Sequence, residues 1–269
     1  MLIILTYFES AKTITKVIIT FLGTGTSQGV PVIACDCKTC RSVDSRDKRL
    51  RTSLLLQNKE QNIVIDAGPD FRQQMLRENV RNLGSILLTH EHKDHIGGMD
   101  DVRAFNYKSR KPIDIYSDDR VQRAIKREYP YVFAEHKYPG VPQMNLITIS
   151  DEPFFIGNTK ILPVKVHHYR LPVYGFRVDD FAYITDANYI SSENRDKLIG
   201  VKYLVVNALR KEKHLSHFNL REALELIDEV SPKKAYITHI SHQMGLHAEV
   251  SRELPANVML AYDGLKVEI

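Results

Sequence analysis

The chain has 269 residues, 43% apolar and 26% charged, a composition that suits a globular fold with a substantial buried core. Its net charge of +4 is a weak bias toward anionic ligands; without a basic run, arginines interleaved with aromatics or a nucleic-acid motif, it argues against a dedicated nucleic-acid binder. No stretch reaches the roughly 20 apolar residues that cross a bilayer, and the apolar start is broken by Glu9 with no small-residue cleavage site after it, so a soluble, cytoplasmic protein without a membrane partner is expected.

Residues 1–16 read as an added strand or loose extension and 17–269 as one domain, because no repeat, low-complexity tract or linker divides the chain. Residues 17–22 predict a strand closing on Gly23-Thr24-Gly25-Thr26-Ser27-Gln28-Gly29. Tight turns are the first reading of those glycines; a phosphate-cradling loop would end in Gly-Lys-Ser/Thr, and this one does not. Cys35, Cys37 and Cys40 are the chain's three cysteines, and an odd, crowded set argues against a disulfide framework. Thiolates at that spacing, on a loop with Pro31 and Asp36, suit one tetrahedral zinc whose fourth ligand comes from elsewhere, with His242 the candidate.

Residues 53–57 and 62–66 read as a hairpin ending in Asp66-Ala67-Gly68-Pro69-Asp70. A buried aspartate needs partners, so Asp66 is expected to cap the helix from about Phe71, to orient a ligating histidine, or to do both. The apolar run Ile86-Leu87-Leu88-Thr89 then opens onto His90-Glu91-His92-Lys93-Asp94-His95, four metal-ligand side chains in six residues. Residues two apart on a strand share a side, so His90 and His92 are expected to grip one cation as the strand ends, with Asp94 and His95 facing a second. Imidazole suits zinc, and a carboxylate in the set admits manganese.

Further strands are predicted over 113–117, 160–168, 174–178, 182–185, 203–206 and 235–238, and helices over 99–105, 118–128 and 219–229. Strand runs mixed with helices in this way suggest two packed sheets with helices outside. The alternation Leu162, Val164, Val166, His168 makes His168 the better ligand and His167 the runner-up, which a one-residue bulge would exchange. Asp186 ends an apolar strand and is the candidate bridge between two cations, or else a cap before Ala187-Asn188. In His214-Leu215-Ser216-His217, His217 is the candidate general acid, outside both metal shells. The last predicted strand ends on His239-Ile240-Ser241-His242; if His239 reaches the two-metal centre, His242 can turn toward the cysteines.

His-x-His-x-Asp-His at 90–95, followed by His168, Asp186 and His239 in that order, resembles the metallo-β-lactamase fold hydrolases over about residues 17–269. The opening Thr20 to Ser27, the cysteine cluster and Thr238 to His242 resemble more narrowly the PhnP-like phosphoribosyl cyclic phosphodiesterases. The resemblance implies an α/β (α+β) fold, the αββα sandwich of two mixed β-sheets flanked by helices, with a dinuclear centre. It also implies a separate structural zinc on Cys35, Cys37, Cys40 and His242, and a general acid at His217. The chain departs from the pattern in its N-terminal extension and in Tyr169-Arg170-Leu171-Pro172 beside His168. Long-arm tRNA 3′-processing endonucleases share the family, but no glycine-rich basic insertion stands between Asp186 and His239, which disfavours a tRNA substrate. PqqB, a cofactor-biosynthesis protein of the same fold, is similar at the glycine and cysteine segments.

The expected activity is metal-dependent hydrolysis of a small phosphodiester, cyclic ribose or nucleotide, to a phosphomonoester. His90, His92 and His168 would hold one divalent metal, Asp94, His95 and His239 the second, both zinc or manganese, with Asp186 and a hydroxide between them; Asp94 and His217 are the catalytic candidates and Asp66 the supporting one. Hydrolysis of thioesters or lactones by the same ligands, and a PqqB-like non-catalytic metal or cofactor-binding role, are the alternatives. The sequence leaves a homodimer open.

Overall fold

The computed structural model describes residues 17–59 and 61–269; the expected extension at 1–16 lies outside them. Along the chain, the strands are β1 (Ile18–Gly23), β2 (Ser53–Gln57), β3 (Asn62–Ile65), β4 (Ser85–Leu87), β5 (Ile113–Ser117), β6 (Met144–Thr148) and β7 (Phe154–Ile156). They continue with β8 (Thr159–His168), β9 (Leu171–Val178), β10 (Phe181–Tyr183), β11 (Tyr203–Asn207), β12 (Lys234–Thr238), β13 (Val258–Leu260) and β14 (Lys266–Glu268). One sheet runs β14-β1-β2-β3-β4-β5-β6 and the other β13-β12-β11-β10-β9-β8-β7. Both are mixed: β3 to β6 and β10 to β13 pair in parallel, and the remaining neighbours are antiparallel.

Apolar runs on successive strands create three cores rather than one. Ile63 and Ile65 of β3 turn inward to meet Phe176, Phe181, Tyr183 and Val205 of the facing sheet, while Val64 between them packs outward. That outer layer is built by α1 (Phe71–Arg77), α2 (Lys93–Ile96), α3 (Arg103–Ser109), α4 (Asp119–Glu128) and α5 (Pro130–Phe133). On the other side, Leu204 and Val206 of β11 pack outward against α7 (Leu220–Val230) and α8 (His247–Val250), while α6 (Ser192–Asp196) lies against β8. The result is the expected αββα sandwich.

The helix starts follow their sequence signals. Asp118 accepts from the Val121 N–H at the start of α4, and Asn219 with Glu222 forms a capping box on α7. The helix expected over 99–105 is split: a 3-10 turn at Met99–Val102 leads into α3, which runs on to Ser109. Four short strands, β6, β7, β13 and β14, were not expected; β7, β13 and β14 have three residues each and β6 five, too few for an alternation to stand out. No described helix is long and apolar enough to cross a membrane.

Candidate metal centre

The site collects where strands of both sheets stop. β4 ends at Leu87, so His90 and His92 do not share the side of a strand as expected; His90 lies in the following loop and His92 is the residue that caps α2. The turn into the helix does the work assigned to strand alternation, setting the two rings 4.5 Å apart. Both rings also face His168, at 5.7 and 5.1 Å between centroids. One donor atom each from His90, His92 and His168 falls within 4.8 Å of the others, and Asp94, His95 and His239 form a second such trio.

Asp186 stands between the trios. It forms one close group with His90 and His95 and another with His168 and His217. Its Oδ2 is 3.3 Å from His95 Nε2, and its Oδ1 is 3.1 Å from both His239 Nε2 and His217 Nε2. His217, expected outside the cluster, therefore touches it directly. Its Nδ1 lies 3.1 Å from Nδ1 of His214, a neighbour the sequence reading left without a role although its spacing, His-x-x-His, was visible.

Three residues that carry the site are left-handed: Asp66 (φ 64°), Asp186 (φ 56°) and His239 (φ 55°). Non-glycine residues seldom adopt that conformation, at about 1–3 kcal/mol each, and all three lie just past strand ends, where the turn swings a polar side chain inward. Gly68 has a different reason to be glycine. A Cβ there would stand 1.9 Å from the Asp94 carbonyl oxygen, so its absence lets the loop after β3 rest on the backbone of the His90–His95 segment.

Asp66 serves a histidine and not the helix start. Asp70 occupies the cap position of α1, bonded instead to Arg51, while fully buried Asp66 accepts from His95 Nδ1 at 2.7 Å. Thr89, which the sequence reading passed over, gives Asp66 its N–H at 2.9 Å and its hydroxyl, and sits 3.0 Å from His90 Nδ1. His168 Nδ1 donates to the Ser216 carbonyl at 2.8 Å, which leaves its Nε2 free to face the trio. His167 stands outside every donor group, its ring against Tyr189.

The electrostatics call for cations. Burial drives His90 well below the ordinary histidine value and lowers His92, His168 and His217, so these imidazoles are neutral. Burial opposes charge on His95 and His239 too, but the carboxylates of Asp66, Asp94 and Asp186 outweigh it, holding His95 well up and His239 at about 9. The buried Nε2 atoms of His90, His95 and His239 make no aligned hydrogen bond, even though Asp186 oxygens lie 3.3 Å from that of His95 and 3.1 Å from that of His239. Such orphaned donors around converging carboxylates are costly unless a positive charge joins them, and imidazole with carboxylate is the donor set that zinc or manganese takes. The residues fit the implied pair of divalent metals.

A second cluster lies nearby. His242 Nδ1 is 3.3 Å from the sulfurs of Cys35 and Cys37 and 3.6 Å from that of Cys40. The Cys40 N–H donates to the Cys37 sulfur and, with His242, pulls that thiol down to about 6 against burial, while burial pushes Cys40 up to about 11. Three free thiols and one imidazole at these separations match a closed tetrahedral zinc site. The glycine-rich segment after β1 is used for packing: Thr26 N–H donates to the Ile240 carbonyl and Ile240 N–H to that of Thr24, so it grips the residue next to His239.

Comparison with known proteins bears on this arrangement. Residues 61–240 match the model of the beta-lactamase superfamily domain. An octanoyltransferase of Porphyromonas gingivalis is 38% identical over 251 residues, which is 92% of this chain but 51% of that protein, so the chain spans about half the length of this relative. The crystal structure of a new diphosphatase from the PhnP family superposes with a TM-score of 0.89 at 36% identity, covering 94% of this chain and 97% of that one. Zinc-bound PqqB from Methylobacterium extorquens shares the fold, with a TM-score of 0.76 at 16% identity over 94% of this chain and all of that one. With the matched domain model spanning more than half of the sequence and a PhnP-family structure matched nearly end to end, the chain belongs to the beta-lactamase superfamily, as a metallo-β-lactamase fold hydrolase close to PhnP.

Proposed function

We propose that the protein hydrolyses small phosphodiesters, cyclic ribose or nucleotide phosphates, to phosphomonoesters. The observation that carries this reading is Asp186 standing between two trios of donors, with His217 on the same carboxylate. The PhnP-family diphosphatase, similar over nearly its whole length, supports phosphoryl chemistry. His90, His92 and His168 would hold one divalent metal, zinc or manganese, and Asp94, His95 and His239 a second, with Asp186 available to both; bound there, such metals would supply Lewis acidity toward the phosphoryl oxygens and lower the pKa of water toward roughly 7.

The chain's own residues do the rest. Asp66 and Thr89 fix the ring of His95, and the Ser216 carbonyl fixes that of His168, so ligand directions are set before substrate arrives. Neutral at rest, His217 takes a second proton at Nδ1 before its Nε2–H, set against Asp186, passes to the departing oxygen and leaves the ring neutral again. The nearby Nδ1 of His214, less buried than His217, offers a path by which that proton is restored from solvent. Cys35, Cys37, Cys40 and His242 would hold a structural zinc, and with it bound they would clip the loop of Cys35 to Cys40 to the segment carrying His239, ordering a ligand as well as the fold.

The octanoyltransferase relative favours one second reading, in which the same centre cleaves an acyl thioester; half of that protein lies outside the match. Parallel assays of metal-loaded protein on cyclic and linear phosphodiesters and on an acyl thioester separate the two. Turnover of a phosphodiester, abolished by Asp94→Ala with folding retained, is the expected result. Thioester turnover alone would replace the reading, and metal binding with neither activity would leave a binding protein.

A further inference from the structure

Three exposed apolar side chains border the centre on three segments: Tyr169 (46% exposed) directly after His168, Tyr189 (52%) three residues after Asp186, and Leu215 (67%) two before His217. One residue staples these segments together. Asn188 Oδ1 accepts from the Tyr169 N–H at 2.6 Å, its Nδ2 donates to the Leu215 carbonyl at 3.2 Å, and its own N–H donates to the His167 carbonyl at 2.8 Å. The His167 N–H in turn donates to the Tyr189 carbonyl at 2.9 Å.

Each tyrosine ring is braced on one side. The His167 ring lies 5.6 Å from that of Tyr189, and the Arg170 guanidinium carbon lies 5.2 Å from the Tyr169 ring centre. Half-exposed rings held from behind, next to a centre for phosphate, are the parts from which a stacking platform for a planar group is made. An acyl chain would ask for an enclosed apolar channel. On an open rim, a flat heteroaromatic ring gains contact with one face while the other stays in water.

We propose that Tyr169 and Tyr189, with Arg170, receive the nucleobase of the substrate, so that the substrate class is a nucleotide diester rather than a base-free sugar phosphate. In such a molecule the base lies one ribose from its phosphate, and Arg170 adds a positive charge that favours the anionic ligand. Asn188 is a positioning residue in this scheme, holding both tyrosines relative to His168 and Asp186. The inference rests on the phosphodiesterase reading, yet base recognition can be measured without turnover.

The test is calorimetric titration of zinc-loaded protein with AMP, ribose 5-phosphate and octyl phosphate. AMP should bind at least about 10-fold more tightly than ribose 5-phosphate. Tyr189→Ala and Tyr169→Ala should each shrink that ratio without changing ribose 5-phosphate affinity, and Tyr189→Phe should keep it. In turnover, Tyr189→Ala should raise KM for 2′,3′-cyclic AMP about 10-fold at constant kcat and leave a base-free cyclic ribose phosphate unaffected. Equal binding of AMP and ribose 5-phosphate, or a ratio that neither alanine variant moves, overturns the base subsite whether or not phosphodiesters are hydrolysed. Tighter, tyrosine-dependent binding of octyl phosphate overturns it in favour of an acyl group. Base discrimination without hydrolysis of any phosphodiester would instead refute the activity and leave the subsite standing.

Discussion

Asp66→Asn isolates the support beneath the metal centre while nearly preserving volume. The carboxylate accepts from His95 Nδ1 at 2.7 Å, from the Thr89 N–H at 2.9 Å and from the Thr89 hydroxyl at 2.9 Å, all out of contact with water. Asparagine offers one acceptor oxygen where aspartate offers two. Whichever way the amide is turned, its NH2 confronts either His95 Nδ1–H or the Thr89 N–H, and His95 loses the negative charge that makes its Nε2 a strong donor. Changes at this remove from a metal lower affinity by about 10- to 100-fold, or about 1.4 to 2.8 kcal/mol. Competition of the zinc-loaded protein against graded chelators measures it, with the cysteine-bound zinc as the internal control that should stay put. Thermal melting in excess chelator separates an effect on the fold. Unchanged affinity at the histidine centre, with a melting temperature also unchanged, would refute the role given to Asp66.

Three further outcomes follow from the same geometry. Gly68→Ala must push the backbone of Asp94 aside, and should lower the metal content of the histidine centre and turnover together, while cysteine-bound zinc persists; an active variant with full metal content would show that the loop yields freely. Cys37→Ser should release one zinc per chain, lower the melting temperature and reduce activity through His239, whereas full activity and stability would make the clip dispensable. His247, whose Nδ1 is 3.2 Å from Arg49 Nη2, is held down at about 4 by burial and by Arg49 and Arg46. Unfolded histidine titrates near 6.5, so the unfolded chain takes the proton first, and stability present above that pH is lost as pH falls toward about 4. Between pH 7 and pH 4.5 the loss from this group is about 2 kcal/mol. Melting of His247→Gln against the parent protein reads it, and parallel pH dependences would dispose of the argument.

Much of the centre was legible because polar residues stop apolar strands at Asp66, Asp186 and His239, and because the cysteines crowd into six positions beside Pro31. The pairing register of β8 runs without a bulge from Leu162 to His168, so His168 keeps the side of Val164 and Val166, but burial does not alternate as expected: Ile161 and Pro163 are buried, Leu162 only partly, and both histidines half-buried. The means by which His90 and His92 meet was misread, because an apolar run does not say where hydrogen bonding to a neighbour ends; β4 stops at Leu87 and a helix start supplies the convergence. Contacts across long separations were not legible. Nothing local marks Thr89 as the partner of Asp66, or Asp186 as the neighbour of His217, because each pair exists only once parallel strands distant in sequence, β3 with β4 and β10 with β11, lie side by side in a sheet.

The account stands on two cations sharing Asp186, and anomalous diffraction at the zinc edge from crystals of the purified, zinc-loaded protein measures that directly. Three peaks per chain are predicted: one among Cys35, Cys37, Cys40 and His242, and two roughly 3.5 to 4 Å apart on either side of Asp186. A single peak at the cysteines, with none between His90 and His239, would contradict it.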